Sequence, residues 1–178
     1  MTSDRTRIFA LLAAVFAAAA LRLVPHPPNF SPIDAMALFS GAYLGRRWLA
    51  FVAPLGALLL SDSLLGFYQG MEFQYVSVAL IVLLGWVALP KVSVLRLGGA
   101  TVAGSVLFFA ITNFGTWLTS GMYPHTLPGL GACFIAAIPF YQNTLAGDLV
   151  YAALLFGSFA LAERLLPILK QGREPRPA

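Results

Sequence analysis

Apolar runs dominate the chain, and short polar or basic breaks separate them. A bilayer-spanning helix needs about 20 apolar residues, with a range of about 17 to 25. On that measure the pattern predicts helices over 8–24, 32–46, 48–67, 75–89, 97–118 and 139–165. The second, opening at Pro32, is short for a full span, so it either tilts into a thinned region or runs on to about Arg47. Pro90 ends the fourth. Between the fifth and sixth lies YPHTLPGLGACFIAAI, apolar but broken by Gly and Pro, which reads as a short outer helix or re-entrant piece at about 128–138. The expected fold class is an all-α integral membrane protein, a single transmembrane domain of six helices over 1–178.

Composition agrees. The chain is 59% hydrophobic and only 10% charged, with mean hydropathy +0.81, where soluble domains carry about 25% charged residues. A net charge of +4 does not point to nucleic acid, because the bases sit in small clusters between apolar runs. With the N-terminus in the cytoplasm, the inner segments hold Arg5, Arg7, Arg46, Arg47, Lys91, Arg96, Arg164, Lys170, Arg173 and Arg176. Arg22 alone falls outside, with Asp62 and Glu72. The positive-inside rule therefore favours six spans with both termini cytoplasmic. The N-terminal run after Arg5 and Arg7 mimics a signal peptide, but it continues through Val24 and is read as a retained first helix.

Polar residues at membrane depth are costly and face a cavity or a partner. Asp62 lies about 22 Å above the inner surface by helical rise, and Asn113 about 25 Å. Asn143 and Asp148 lie at about 30 and 22 Å. All four fall in the outer half, so helices three, five and six converge on an outward-facing pocket. Trp117 follows Asn113 by four residues, on one helix face, and an amide beside an indole suits a planar heterocycle. Each residue has a plainer reading: Asp62 as an interface cap, Asn113 as interhelical glue, Trp117 as a belt aromatic, Asp148 as the partner of a buried hydroxyl. Arg22 can snorkel, neutralise Asp62 or Asp148, or meet an anionic ligand.

On the first helix Ala10, Ala14 and Ala18 recur every four residues. Such a face lets another helix approach closely, either a partner subunit or the rest of the bundle. Gly41 and Gly45 form a similar pair. His26 and His125 lack metal-ligand spacing, and Cys133, the single cysteine, reads as an inert buried thiol. No nucleotide-binding or hydrolase motif is present. The chain does not read as an enzyme, and it calls for no cofactor and no metal.

The connection PHPPNFSPIDA, residues 25–35, divides in two. Ser31, Pro32 and Asp34 read as a helix start, with Ser31 as N-cap and Asp34 as a capping carboxylate, which takes Asp34 off the site list. Pro25 to Phe30 reads as a stiff lid that presents Asn29 and Phe30 over the pocket.

RLVPHPPNFSPIDAMALFSGAYLG, PLGALLLSDSLLGF, FFAITNFGTWL and the stretch 123–157 resemble a family of uncharacterised bacterial membrane proteins grouped with the substrate-binding S components of energy-coupling factor transporters. The resemblance implies a six-helix S-component-like bundle in the bacterial cytoplasmic membrane that takes a vitamin-like small molecule from outside. It also implies a lid after the first helix, a docking face at Ala10, Ala14 and Ala18, and a separate transmembrane coupling subunit with ATPases. The combined expectation is a substrate-binding or uptake protein whose pocket uses Asn29, Phe30, Asp62, Asn113, Trp117, Asn143 and Asp148. The competing expectation is a structural or assembly subunit of a larger membrane complex, with those polar residues as glue.

Overall fold

The structure, a computed structural model, describes residues 2–45 and 48–170. Arg46, Arg47, Arg173 and Arg176, on which the charge argument for orientation partly rests, lie outside the described residues.

Helix α1 is Thr2–Ala20, extended by a single 3-10 turn at Leu21–Leu23. After the proline-rich loop come α2 (Ile33–Leu44), α3 (Leu49–Leu65), α4 (Met71–Ala88), α5 (Val94–Thr119) and α6 (Leu127–Leu165). A last 3-10 turn is Pro167–Leu169. The described residues are thus all helix and connection, with six α-helices. Four of them, α1 with its turn, α4, α5 and α6, are long and apolar enough to cross a membrane. Large apolar side chains such as Phe9, Val94, Leu95 and Ile135 stand exposed on the outside, as expected of helices whose outer surface faces lipid.

The short α2 forms the centre. Every residue in it except Tyr43 is buried, and it packs against all five other helices. At 12 residues it is about 18 Å long, well below the hydrocarbon thickness of about 30 Å.

Glycine sets the closest approach. A Cβ on Gly41 would lie 2.0 Å from the Val82 carbonyl oxygen of α4, and one on Gly85 would lie 2.4 Å from that of Leu38. The two glycines are reciprocal, one on each helix, so α2 and α4 meet backbone to backbone. Gly45, by contrast, turns the chain at φ 59° and contacts no other element closely.

Two expectations change. The alanine face of α1 turns partly inward: Ala18 belongs to the buried core, and Ala10 and Ala14 pack against it. Ala10 and Ala14 stay partly exposed, so the bundle takes up part of this face and leaves part of it open. The segment expected at 128–138 is also continuous with the sixth helix, giving 39 residues with Pro139 inside. Proline costs the ladder a bond, but its fixed φ near −65° is a helical value, so the helix is interrupted rather than ended. The start of α6 is set by Thr126, whose hydroxyl accepts from the Gly129 N–H at 3.2 Å.

At one end of the bundle a cavity of about 370 Å³ lies among Arg7, Tyr43, Phe156 and Glu163. Arg7 of α1 pairs with Glu163 of α6 and donates to the Leu169 carbonyl, while its guanidinium lies over the rings of Phe159 and Tyr43 at 5.3 and 5.8 Å. The opposite end opens into two cavities.

Candidate functional site

The larger cavity, about 370 Å³, lies between the start of α4, the last turns of α5 and the middle of α6. Its wall combines Phe108, Phe109, Phe140 and Tyr141 with the polar side chains of Thr112, Asn113 and Thr116. The smaller, about 290 Å³, sits under the proline-rich loop at the start of α2, with Asp34 and Asp148 in its wall. Asn29, Gln74, Phe108 and Thr144 line both. Sites of this size with an apolar wall and a few converging polar groups suit small-molecule ligands.

The threonines of α5 recur at 112, 116 and 119, one helix face. Each hydroxyl donates to the carbonyl four residues back, at 2.8, 3.0 and 2.9 Å, which satisfies it without a tertiary partner and leaves its oxygen free to accept. Asn113 does likewise, donating to the Phe109 carbonyl at 2.8 Å. At the start of α4, Tyr68 donates to the Gln74 side-chain oxygen. Burial pushes the Tyr68 phenol above its usual range, Asp62 adds to the rise and Arg22 opposes it, so Tyr68 keeps its proton at neutral pH. The Gln74 Nε2 is left without a partner.

The smaller cavity holds the buried carboxyls. Asp148 is 2% exposed and accepts from the Ser105 hydroxyl. Asp34 is 3% exposed, and no donor group reaches either of its oxygens; what they meet is the Asp148 carboxyl, in a hydrogen bond that needs one shared proton. The two carboxyls are close enough to interact electrostatically. This corrects the capping expectation. The N-cap of α2 is Pro32, not Ser31, and no side-chain cap forms. Asp34 is thus the second helical residue, and its side chain is buried among the helices. There it turns inward toward α6 instead of back to its own helix start.

The loop is a strap over this floor. Asn29 takes the left-handed conformation, φ 62°, which asparagine tolerates better than most residues. Asn143 donates from Nδ2 to the Pro28 carbonyl at 3.1 Å, and the Phe30 ring meets Tyr151 at 5.5 Å between centroids. Gly147 lets the strap lie flat on α6, since a Cβ there would stand 3.1 Å from Phe30 Cα and from the Ser31 nitrogen.

Of the expected site residues, Asn29, Asn113 and Asp148 line the cavities. The other four do different work. Asp62 is paired with Arg22 at 2.8 Å and accepts from Tyr75 at 2.9 Å, and Arg22 also donates to Ser61. The carboxylate is thereby consumed in joining α1, α3 and α4. Phe30 and Asn143 fasten the strap. Trp117 donates to the Pro124 carbonyl at 3.0 Å and packs on His125 and Phe114, which folds the α5–α6 connection onto α5. Cys133 is buried beside the Asn113 carbonyl at 3.4 Å.

Asp34, Gln74 and Thr144 were missed. Asp34 is an acid inside an apolar run, a signal masked by the capping interpretation. Gln74 precedes the buried Ser77, Val78 and Ile81 at helical spacing, which marks the inward face of α4. The α5 threonine row carries the same kind of signal.

No curated protein and no solved structure matches the chain. The model of a family of unknown function, DUF6580, matches residues 2–169. A match over nearly the whole bundle, strap and cavities included, means that the chain belongs to the DUF6580 family.

Proposed function

We propose that the chain is a membrane substrate-binding or uptake protein for a small vitamin-like or heterocyclic nutrient. It spans the bacterial cytoplasmic membrane six times with both termini inside, captures its ligand from outside, and releases it inward with the help of a separate coupling subunit and ATPases, as S components do. The observation that carries this reading is the pair of adjoining cavities at one end of the bundle, with aromatic walls and a strapped loop above. An assembly subunit, with its polar residues as glue between helices, calls for a closed core instead. The shortness of α2 also fits the proposal, because it makes room for a ligand at depth.

The test is saturable binding by purified protein across a panel of vitamins, nucleobases and other heterocycles, read by thermal shift and calorimetry. A saturable binder whose affinity falls in Asn113→Ala supports the reading. No binder in the whole panel overturns it.

A further inference from the structure

The unpartnered polar atoms of the bundle are not spread evenly. Among the described residues, and setting aside the shared-proton contact of Asp34 with Asp148, the buried side-chain atoms without a hydrogen-bond partner are Ser31 Oγ, Asp34 Oδ1 and Oδ2, Ser40 Oγ, Gln74 Nε2 and Thr101 Oγ1. Those of Ser31, Asp34 and Gln74 belong to residues in the wall of the smaller cavity. A buried polar atom without a partner destabilises the fold, and more so when charged. Such atoms are kept where something else completes them. Asp34 and Gln74 lie on different helices, α2 and α4, and are 3% and 7% exposed, so they are independent observations pointing into one space.

The charge of that wall is one-sided. Asp34 and Asp148 have no ion-pair partner among the described residues, where the salt bridges are Arg7–Glu163 and Arg22–Asp62. The basic side chains in the wall are Arg22 and His26. Arg22 is already matched by Asp62, so that pair adds no net charge, and His26 is exposed with its Nδ1 beside the Pro27 carbonyl. What faces the cavity is a carboxyl pair that one shared proton can join, with further acceptor positions, one amide donor and a hydroxyl. A buried carboxyl pair is stabilised by a cation that can also donate hydrogen bonds.

We infer that the uptake ligand carries a cationic N–H-rich head, an amidinium or protonated amine, seated on Asp34 and Asp148, with an aromatic body reaching past Phe108 into the larger cavity. This rests on the binding reading above and names the class of ligand. The Gln74 Nε2 donates to an acceptor next to the charged head. An amidine fused to or carried on a ring supplies both, because its donors and the neighbouring ring nitrogen share one edge. Anions are disfavoured, since they would face the two carboxyls at close range.

Three probes of nearly equal shape separate the charges: benzamidine, benzamide and benzoate, titrated into the purified full-length protein by calorimetry and thermal shift. Benzamidine is expected to bind saturably, benzamide at least about tenfold more weakly, and benzoate least. Asp34→Asn is expected to lower benzamidine affinity about tenfold or more and to flatten the ranking. Benzamide or benzoate binding as well as benzamidine overturns the inference, as does a failure of benzamidine to bind, or a ranking unchanged in folded Asp34→Asn. The wild-type ranking needs no variant, so it decides the matter even if Asp34→Asn does not fold. The two readings fail separately: neutral or anionic binders in the wider panel would keep the uptake function while removing the cationic head.

Discussion

Asp34 and Asp148 approach each other from α2 and α6 at the floor of the smaller cavity, and Asp148 also accepts from the Ser105 hydroxyl. Ser105 is fully buried on α5, so this contact joins α5 to α6 beneath the smaller cavity. Ser105→Ala is expected to cost about 1–3 kcal/mol by leaving that carboxyl oxygen unmatched. Thermal unfolding of the purified protein reads this directly.

The Arg22–Asp62 pair makes the opposite prediction from a binding residue. Removing one member of a buried pair leaves an uncompensated charge and costs about 3–5 kcal/mol. Asp62→Ala is therefore expected to lower the unfolding temperature sharply, and Arg22→Met with Asp62→Leu to recover much of the loss. A specific loss of binding without loss of stability in Asp62→Ala would return Asp62 to the site.

Gly41 and Gly85 are predicted to be intolerant of a methyl group, because each would press a Cβ onto a carbonyl oxygen of the facing helix. Backbone cannot step aside as a flexible side chain can. Gly41→Ala and Gly85→Ala should each cost at least about 1–3 kcal/mol, and together less than the sum, since the first already forces the helices apart. Unfolding of the single and double variants measures both numbers.

Asn143 holds the strap through one hydrogen bond, to the Pro28 carbonyl. Asn143→Ala should cost about 0.5–1.5 kcal/mol and should act locally. Amide hydrogen exchange over 26–31 is expected to quicken while the core of α2 stays protected, and ligand release is expected to speed up. Unchanged exchange in the loop would mean that Phe30 on Tyr151 and the flat contact at Gly147 hold it unaided.

The proposed orientation can be read by cysteine labelling on a Cys133→Ala background. Glu72 and Lys91 are both exposed, at opposite ends of α4. Glu72→Cys should react with an impermeant maleimide added to intact cells, and Lys91→Cys only after lysis. The reverse pattern would invert the membrane plan.

Much of this protein can be read from its linear pattern because a bilayer imposes a one-dimensional rule: backbone polar groups must be satisfied within each span, so apolar length alone marks a helix. That is why the helices, their order and the gathering of polar residues toward one end follow from residue positions. Rotation about each helix axis follows no such rule. Asp34, expected as a cap, is a buried cavity group, and the alanine face of α1 is shared between the core at Ala18 and partly exposed Ala10 and Ala14. Depth along the membrane is additive in sequence. Which side chain meets which is settled only when six helices pack together, as Asp62 meeting Arg22 and Asp148 meeting Ser105 both show.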